Sequence, residues 1–189
     1  MNVLGISGTP RKNGNSEHLL LAALEPFAEA GWGVTEILLS EKIIQPCVGC
    51  EDCVEIGKCV ISDAMDEVYQ AFEECDAMII SSPAYYRNVP AQLKALMDRT
   101  FAAKDTLKGK FGGAISVGRG SSGGGQCIVL TIINNYYLSS GMLCVPGELN
   151  GVVATADKPG DILTQTRRLE QARILGKNII KYATLYQML

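Results

Sequence analysis

Apolar residues recur along this chain in two alternating rhythms. Short apolar-rich runs at 3–6, 34–39, 76–81, 112–117 and 142–145 have the length of strands buried in a parallel sheet. Between them, apolar positions fall three and four apart. Leu19, Leu20, Ala23, Leu24 and Phe27 lie within 16–30, Met65, Val68, Tyr69 and Phe72 within 63–74, and Leu93, Leu96, Met97 and Phe101 after Pro90. That spacing lays one stripe along a helix. Two more helices are predicted over 126–139 and within 162–186. The boundaries carry their own signals. Gly31 stops the first helix, Asp63 with Asp66 approximates a capping box, and Pro90 occupies a first turn, where a missing N–H costs nothing.

Five strands separated by helices predict an α/β fold with a doubly wound five-stranded parallel sheet, as one domain over 1–189. Such sheets bind ligands beyond the carboxyl ends of their strands, at the topological switch point. The loops after strands one, three and four are therefore where chemistry is expected, and a cysteine-rich loop at 45–62 follows strand two.

The first loop, Ser7-Gly8-Thr9-Pro10-Arg11-Lys12-Asn13-Gly14-Asn15-Ser16, leads straight into a helix. It offers backbone N–H groups, three hydroxyls, a guanidinium and the positive end of a helix, which together make an anion cradle. It is not a Walker loop: Gly8 and Gly14 stand one residue too far apart, and Asn15 occupies the lysine's place. Helix capping by Asn15 or Ser16 is the plainer use of those residues, but it does not require ten residues so rich in donors. After strand three, Pro83-Ala84-Tyr85-Tyr86-Arg87-Asn88 offers flat aromatic contact together with polar groups. After strand four, Gly118-Arg119-Gly120-Ser121-Ser122-Gly123-Gly124-Gly125 is dense in glycine, which permits close backbone approach to a ligand.

Composition narrows the function. A net charge of −3 argues against nucleic-acid and membrane partners, no apolar run is long enough to span a bilayer, and the first residues lack the basic and apolar regions of a secretory signal, so a cytoplasmic location is expected. The single histidine, His18, is expected to face solvent and leaves no basis for a serine or cysteine hydrolase triad. Lys104, Lys108 and Lys110 are expected in a solvated connection, and Tyr136 and Tyr137 in the core or an interface. Seven cysteines cannot all pair, and disulfides are rare in reducing compartments. Four of them, Cys47, Cys50, Cys53 and Cys59, fall within thirteen residues as C-x2-C-x2-C-x5-C. Thiolates every third residue can converge on one face of a turn, as iron–sulfur clusters require. Structural zinc and a metal-free loop are the alternatives. Cys75, Cys127 and Cys144 lie apart and are expected to pack.

The run Gly5-Ile6-Ser7-Gly8-Thr9-Pro10-Arg11, followed by Asn15-Ser16, resembles the phosphate loop of the flavodoxin-like NADPH-dependent FMN reductases. The resemblance extends over nearly the whole chain. It implies that Ser7, Thr9, Arg11, Asn13, Asn15 and Ser16 hold the phosphate of FMN. The segment Ser82-Pro83-Ala84-Tyr85, with Gln92-Leu93-Lys94 and Asp98-Arg99, is similar to the family's isoalloxazine segment and implies ring contacts from Pro83, Ala84, Tyr85, Tyr86, Arg87 and Asn88. The glycine pair before Gln126 is similar to the family's closing loop, implying contacts from Gly118, Arg119, Gly120, Gly124 and Gly125, although Cys127 stands where relatives often carry an acid.

The cysteine spacing is similar to that of the iron–sulfur flavoproteins, a branch of the same superfamily. This implies a 4Fe–4S cluster on Cys47, Cys50, Cys53 and Cys59. The implied function is electron transfer between a ferredoxin-like donor, FMN and a small-molecule acceptor, with NAD(P)H as an alternative donor. The implied assembly is a homo-oligomer, dimer or tetramer, in which one subunit's cluster approaches a neighbour's flavin. Two other functions remain open: a cluster-free NAD(P)H-dependent FMN or quinone reductase, and a non-enzymatic FMN carrier or thiol-based redox sensor.

Overall fold

The computed structural model describes residues 1–120 and 124–188. The chain runs β1 (Asn2–Ser7), α1 (Asn15–Glu29), β2 (Gly33–Leu38), α2 (Asp52–Ile56), α3 (Met65–Glu74), β3 (Ala77–Pro83), α4 (Ala91–Arg99), β4 (Phe111–Gly118), α5 (Gln126–Ser139), β5 (Leu143–Cys144), β6 (Val152–Thr155) and α6 (Thr166–Tyr186). All strand pairs are parallel, in the order β2-β1-β3-β4-β5, which is the order of flavodoxin-like sheets.

The expectation of a five-stranded parallel sheet is met in its five positions, and among the described residues these are filled by six strands. The fifth position is divided between two segments: β5 pairs with the start of β4, at Phe111 and Gly112, and β6 pairs with its end, from Ile115 to Gly118. The interruption has a sequence cause. Pro146 cannot donate to a ladder, and Gly151, at φ +150°, bends the chain back toward the sheet, where a Cβ would stand 2.6 Å from the Ala114 carbonyl oxygen.

Helices cover both faces. On one, α1 and α6 pack Leu20, Leu24, Phe27, Leu175 and Ile179 against Val3, Ile79 and Ile115. On the other, α3, α4 and α5 pack Phe72, Leu93, Leu96 and Ile133 against Leu4, Ile6, Met78 and Ile80. At about 25 cal/mol per Å² these two interfaces supply most of the driving force for folding. Tyr137 is wholly buried and serves the core: its hydroxyl accepts from the Ile80 amide at 3.0 Å and donates to the Gly113 carbonyl at 2.9 Å, bridging β3 and β4. Gly112 makes room for its ring, since a Cβ there would lie 2.8 Å from it. Helix α1 continues past Pro26, and His18 is half-buried rather than solvent-facing.

The capping expectations also change. Gly14 precedes α1 and no side chain caps it, so neither Asn15 nor Ser16 serves that purpose. Asp63 does receive the Met65 amide, at 2.9 Å, but Asp66 does not reciprocate; it accepts from the Ser62 hydroxyl instead. The other oxygen of Asp63 is held by Arg99.

Candidate functional site

The carboxyl ends of β1, β3 and β4 lie side by side in a short stagger, with Ser7 beside Ser81 and Pro83 beside Val117. A cleft of about 550 Å³ opens there. Such a volume lies within the usual range for small-molecule and cofactor sites.

One wall is the loop into α1. Thr9, Arg11, Asn15 and Ser16 line the cleft, together with Lys12 and Gly14. With no capping side chain, the first-turn N–H groups of α1 keep their donors directed outward. Ser7, at the end of β1, is fully buried and outside the lining, and its hydroxyl has no partner in the protein. An uncapped helix start, an unpartnered buried hydroxyl and the Arg11 guanidinium are the chemistry a phosphate group requires. Asn13 is off the cleft: at φ +53° its amide turns back to the Glu17 carboxylate, 3.3 Å away. The Asn15 side chain is engaged elsewhere too. It donates to the Lys158 carbonyl at 2.8 Å and accepts from the Ile162 amide at 3.2 Å. Asn15 thus offers its backbone N–H to the cleft, and its amide fastens a neighbouring segment.

That segment, residues 156–159, forms a wall the sequence did not reveal. Ala156, Asp157, Lys158 and Pro159 line the cleft, and Asp161 holds the amides of Asp157 and Lys158 at 3.1 and 2.7 Å. Arg11, Lys12, Arg119 and Lys158 face Asp157 as the sole acid in the lining, so the mouth is basic although the chain carries a net charge of −3.

A second wall comes from the loop after β3. Pro83, Ala84, Tyr85 and Tyr86 line the cleft. Tyr85 and Asn88 exchange backbone hydrogen bonds at 2.9 Å each, closing a two-residue hairpin with Tyr86 at φ +51° and Arg87 at φ +62°. Such turns favour glycine and asparagine, and a left-handed bulky residue costs about 1–2 kcal/mol. The hairpin holds Tyr86 fully exposed at the rim. Arg87 and Asn88 build the turn outside the lining, with the Asn88 side chain accepting from the Val89 amide.

The glycine-rich loop completes the cleft through Gly118, Arg119 and Gly124; Gly120 and Gly125 lie outside the lining. Ser121, Ser122 and Gly123 lie outside the described residues. The glycines also serve internal packing. Gly125, at φ +84°, abuts the hairpin so closely that a Cβ would stand 2.6 Å from the Arg87 Cα, and one on Gly124 would stand 2.3 Å from the Arg119 carbonyl oxygen.

The cysteine loop stands apart from this cleft. Cys47 and Cys50 are exposed, and Cys53 and Cys59 half-buried. The chain turns through left-handed backbone at Gly49, Glu51 and Gly57 around the short helix α2. Among the described residues, no three cysteine, histidine or carboxylate side chains are gathered closely enough to hold a metal ion. The donor chemistry nevertheless fits a thiolate-bound group. The Cys53 thiol is pushed up by partial burial and then by Cys59, Cys50 and Cys47, and the Gly49 amide donates to the Cys47 Sγ at 3.4 Å. Cys75, by contrast, is buried and its pKa is pushed up to about 11 by desolvation, leaving it an inert packing thiol.

Comparisons with known proteins follow the same division. The profile of the NADPH-dependent FMN reductase family matches residues 1–154. An iron–sulfur flavoprotein of Methanocaldococcus jannaschii is 40% identical over 191 aligned residues, which cover 98% of each chain. A WrbA-like flavodoxin structure from Agrobacterium tumefaciens superposes with a TM-score of 0.70 at 16% identity, over 97% of both chains. An NAD(P)H:quinone oxidoreductase structure from Methanothermobacter marburgensis superposes with a TM-score of 0.71 at 18% identity, over 95% of this chain and 98% of that one. These two structural likenesses are of fold. No helix among the described residues is long and apolar enough to cross a membrane.

Proposed function

The chain belongs to the NADPH-dependent FMN reductase family, and from that premise we propose that this flavin-dependent oxidoreductase works as an iron–sulfur flavoprotein, with FMN in the cleft and a 4Fe–4S cluster on the cysteine loop. The observation that carries the flavin assignment is the uncapped start of α1 in a cleft lined by Arg11, Tyr85 and Tyr86, with an unpartnered buried hydroxyl at Ser7 at the end of the preceding strand. The cluster is supported by the four thiols and by the end-to-end likeness to a protein named an iron–sulfur flavoprotein.

When bound, FMN supplies the redox chemistry, accepting electrons singly or as hydride, and a 4Fe–4S cluster supplies single electrons. The protein's own residues bind and orient. Arg11 and the N–H groups at the start of α1 hold the phosphate, with Thr9 and Ser16 beside them. Pro83, Ala84 and the two tyrosines shape the wall along which the ring lies, and the hairpin of Tyr85 and Asn88, braced by Gly125, keeps that wall fixed. Cys47, Cys50, Cys53 and Cys59 would hold the cluster. No histidine lines the cleft and its one carboxylate is the exposed Asp157, so proton transfer falls to solvent at the open rim.

The donor in this proposal is a ferredoxin-like protein or NAD(P)H, and the acceptor a small molecule. A homo-oligomer is supported by charge and exposure. The cysteine loop presents Val48, Val54 and Ile56 to solvent beside Glu51, Asp52 and Glu55, a surface complementary to the basic mouth of the cleft in a second copy. The second reading, a cluster-free NAD(P)H-dependent reductase, is favoured by one observation: the four thiols are not drawn into a metal-holding group. Flavin, iron and acid-labile sulfide measured on anaerobically purified protein decide between them. One FMN with about four irons and four sulfides per chain is expected. FMN with no iron, reduced rapidly by NADPH alone, would establish the second reading.

A further inference from the structure

The pair Asp98-Arg99 sits in a segment grouped with the flavin wall, yet its arginine turns the other way. Arg99 ends α4, and its side chain is wholly buried at the neck of the cysteine loop. One guanidinium nitrogen donates to the Asp63 carboxylate at 2.6 Å and to the Gln45 carbonyl at 3.4 Å, and the other to the Ile61 carbonyl at 2.7 Å. Asp63 in turn accepts from the Gln45 amide at 2.8 Å. The two strands of chain entering and leaving the loop are therefore tied to one buried cation. The Tyr69 hydroxyl donates to the Arg99 carbonyl at 2.8 Å, fixing the end of α4 against α3.

Within the loop itself, little else fastens the chain. Residues 45–52 and 54–58 are all exposed, and the short helix α2 buries no residue. Cys53 and Cys59 are half-buried, and Cys59 lies within electrostatic reach of the Arg99 and Tyr69 side chains. The Arg99 Nε–H is buried and has no partner in the protein. A fully desolvated guanidinium committed to both stems of a loop, with a donor to spare and a loop thiol beside it, exceeds what loop closure needs. Lysine is no equivalent, because its one ammonium nitrogen on a flexible stem lacks the rigid pair of nitrogens that here divide the contacts to Gln45, Asp63 and Ile61 between them.

We infer that Arg99 is the positioning residue of the cysteine loop: it clamps the neck at Gln45, Ile61 and Asp63 and thereby sets Cys59 against the arm that carries Cys47, Cys50 and Cys53. The inference rests on the cluster assignment only for its metal readout. Four thiolates scattered on a free loop would have to be gathered from many conformations, and a clamped neck removes most of that entropy in advance. The Arg99 Nε–H remains a buried, unpartnered donor at the neck of the loop, and hydrogen bonds to sulfur are among the features that set the potential of a cluster. The helix that carries Arg99 begins just after the Tyr85 hairpin, so one rigid element bounds the flavin cleft at its start and the loop's neck at its end.

The test compares full-length wild type with Arg99→Lys, Arg99→Met and the milder Asp63→Asn, the last covering failure of the arginine variants to fold. Hydrogen exchange on metal-free protein is expected to rise about tenfold or more across 45–63 in each variant, the effect of losing one charge-assisted hydrogen bond, while β1 and β3 stay protected. After anaerobic reconstitution with iron and sulfide, the variants are expected to take up several-fold less iron. Whatever cluster forms in Arg99→Lys is expected to show a shifted midpoint potential, which a merely structural role would leave unmoved. Unchanged exchange across 45–63, or wild-type iron content with a wild-type potential in Arg99→Lys, would overturn the inference. Wild type that takes up no iron would defeat the cluster assignment instead, and the exchange comparison would then decide the clamp alone.

Discussion

The cleft and the cysteine loop are built by opposite strategies. The cleft is a by-product of the sheet: β1, β3 and β4 end side by side, and each hands its loop a fixed starting point within a buried core. The cysteine loop has no such foundation. Most of its residues are exposed, including Val48, Val54 and Ile56, and it is joined to the core through one buried ion pair. A site of the first kind is preorganised before its ligand arrives. A site of the second kind depends on a single fastening and on whatever it binds.

That contrast is sharpest at Arg99. Replacing it with methionine leaves Asp63 buried and unpaired, and removal of one partner from a buried pair costs about 3–5 kcal/mol. Urea unfolding of metal-free protein is expected to show that loss; a midpoint equal to wild type would mean that the loop is an independent appendage.

Arg11 tests the cleft in the same way. Arg11→Ala is expected to weaken FMN binding by about 1.5–3 kcal/mol, roughly 10- to 150-fold, through loss of a charge-assisted hydrogen bond, and to leave riboflavin binding unchanged. Equal losses for both ligands, measured by fluorescence titration, would move the phosphate elsewhere. Gly125→Ala should cost about 1–3 kcal/mol by forcing a side chain into left-handed backbone, with flavin affinity falling as the Tyr85 hairpin is displaced. Unaltered stability in thermal unfolding would show that the two loops do not brace each other.

Acid should separate the two regions by pH. Burial works to raise the Asp63 pKa, yet the Gln45 and Met65 amides and the Arg99 guanidinium together hold it below the ordinary 3.8. A lowered folded-state pKa means that the stabilisation is fully present above that value and is lost as the pH falls through the folded one. Exchange across 45–63 is therefore expected to accelerate below pH 3.8, beyond the intrinsic acid trend, before the sheet opens. Simultaneous loss of both regions would contradict it. The smallest effect belongs to the loop's surface: Val54→Ser should change the stability of metal-free protein by no more than about 0.5 kcal/mol, within the error of urea unfolding.

The two strategies also explain what could be read from sequence. The alternation of strands and helices follows from apolar runs and three-four spacing, because burial imposes that pattern along an element. The cysteine motif was legible for another reason: four thiols in thirteen residues are chemically conspicuous whatever the fold. What escaped lies between these signals. Strand β6 is four residues long and follows a turn-rich stretch, so it has no period of its own to display. The wall at Asp157 and Lys158 belongs to no motif, and only the side chain of Asn15 ties it to the phosphate loop, from 143 residues away. Arg99 was visible as a residue but not as a clamp, since its partners at Gln45, Ile61 and Asp63 converge only in three dimensions. Glycine density near Gln126 suggested room for a ligand, and part of that room is taken by Arg87 and Gln126 themselves.

The account depends most on an anion seated at the start of α1. Calorimetric titration of flavin-free protein with FMN and, in parallel, with riboflavin tests this directly, because the two ligands differ only in the phosphate. One FMN per chain, bound at least about tenfold more tightly than riboflavin, is the predicted result. Equal affinity for the two, or binding of neither, would contradict it.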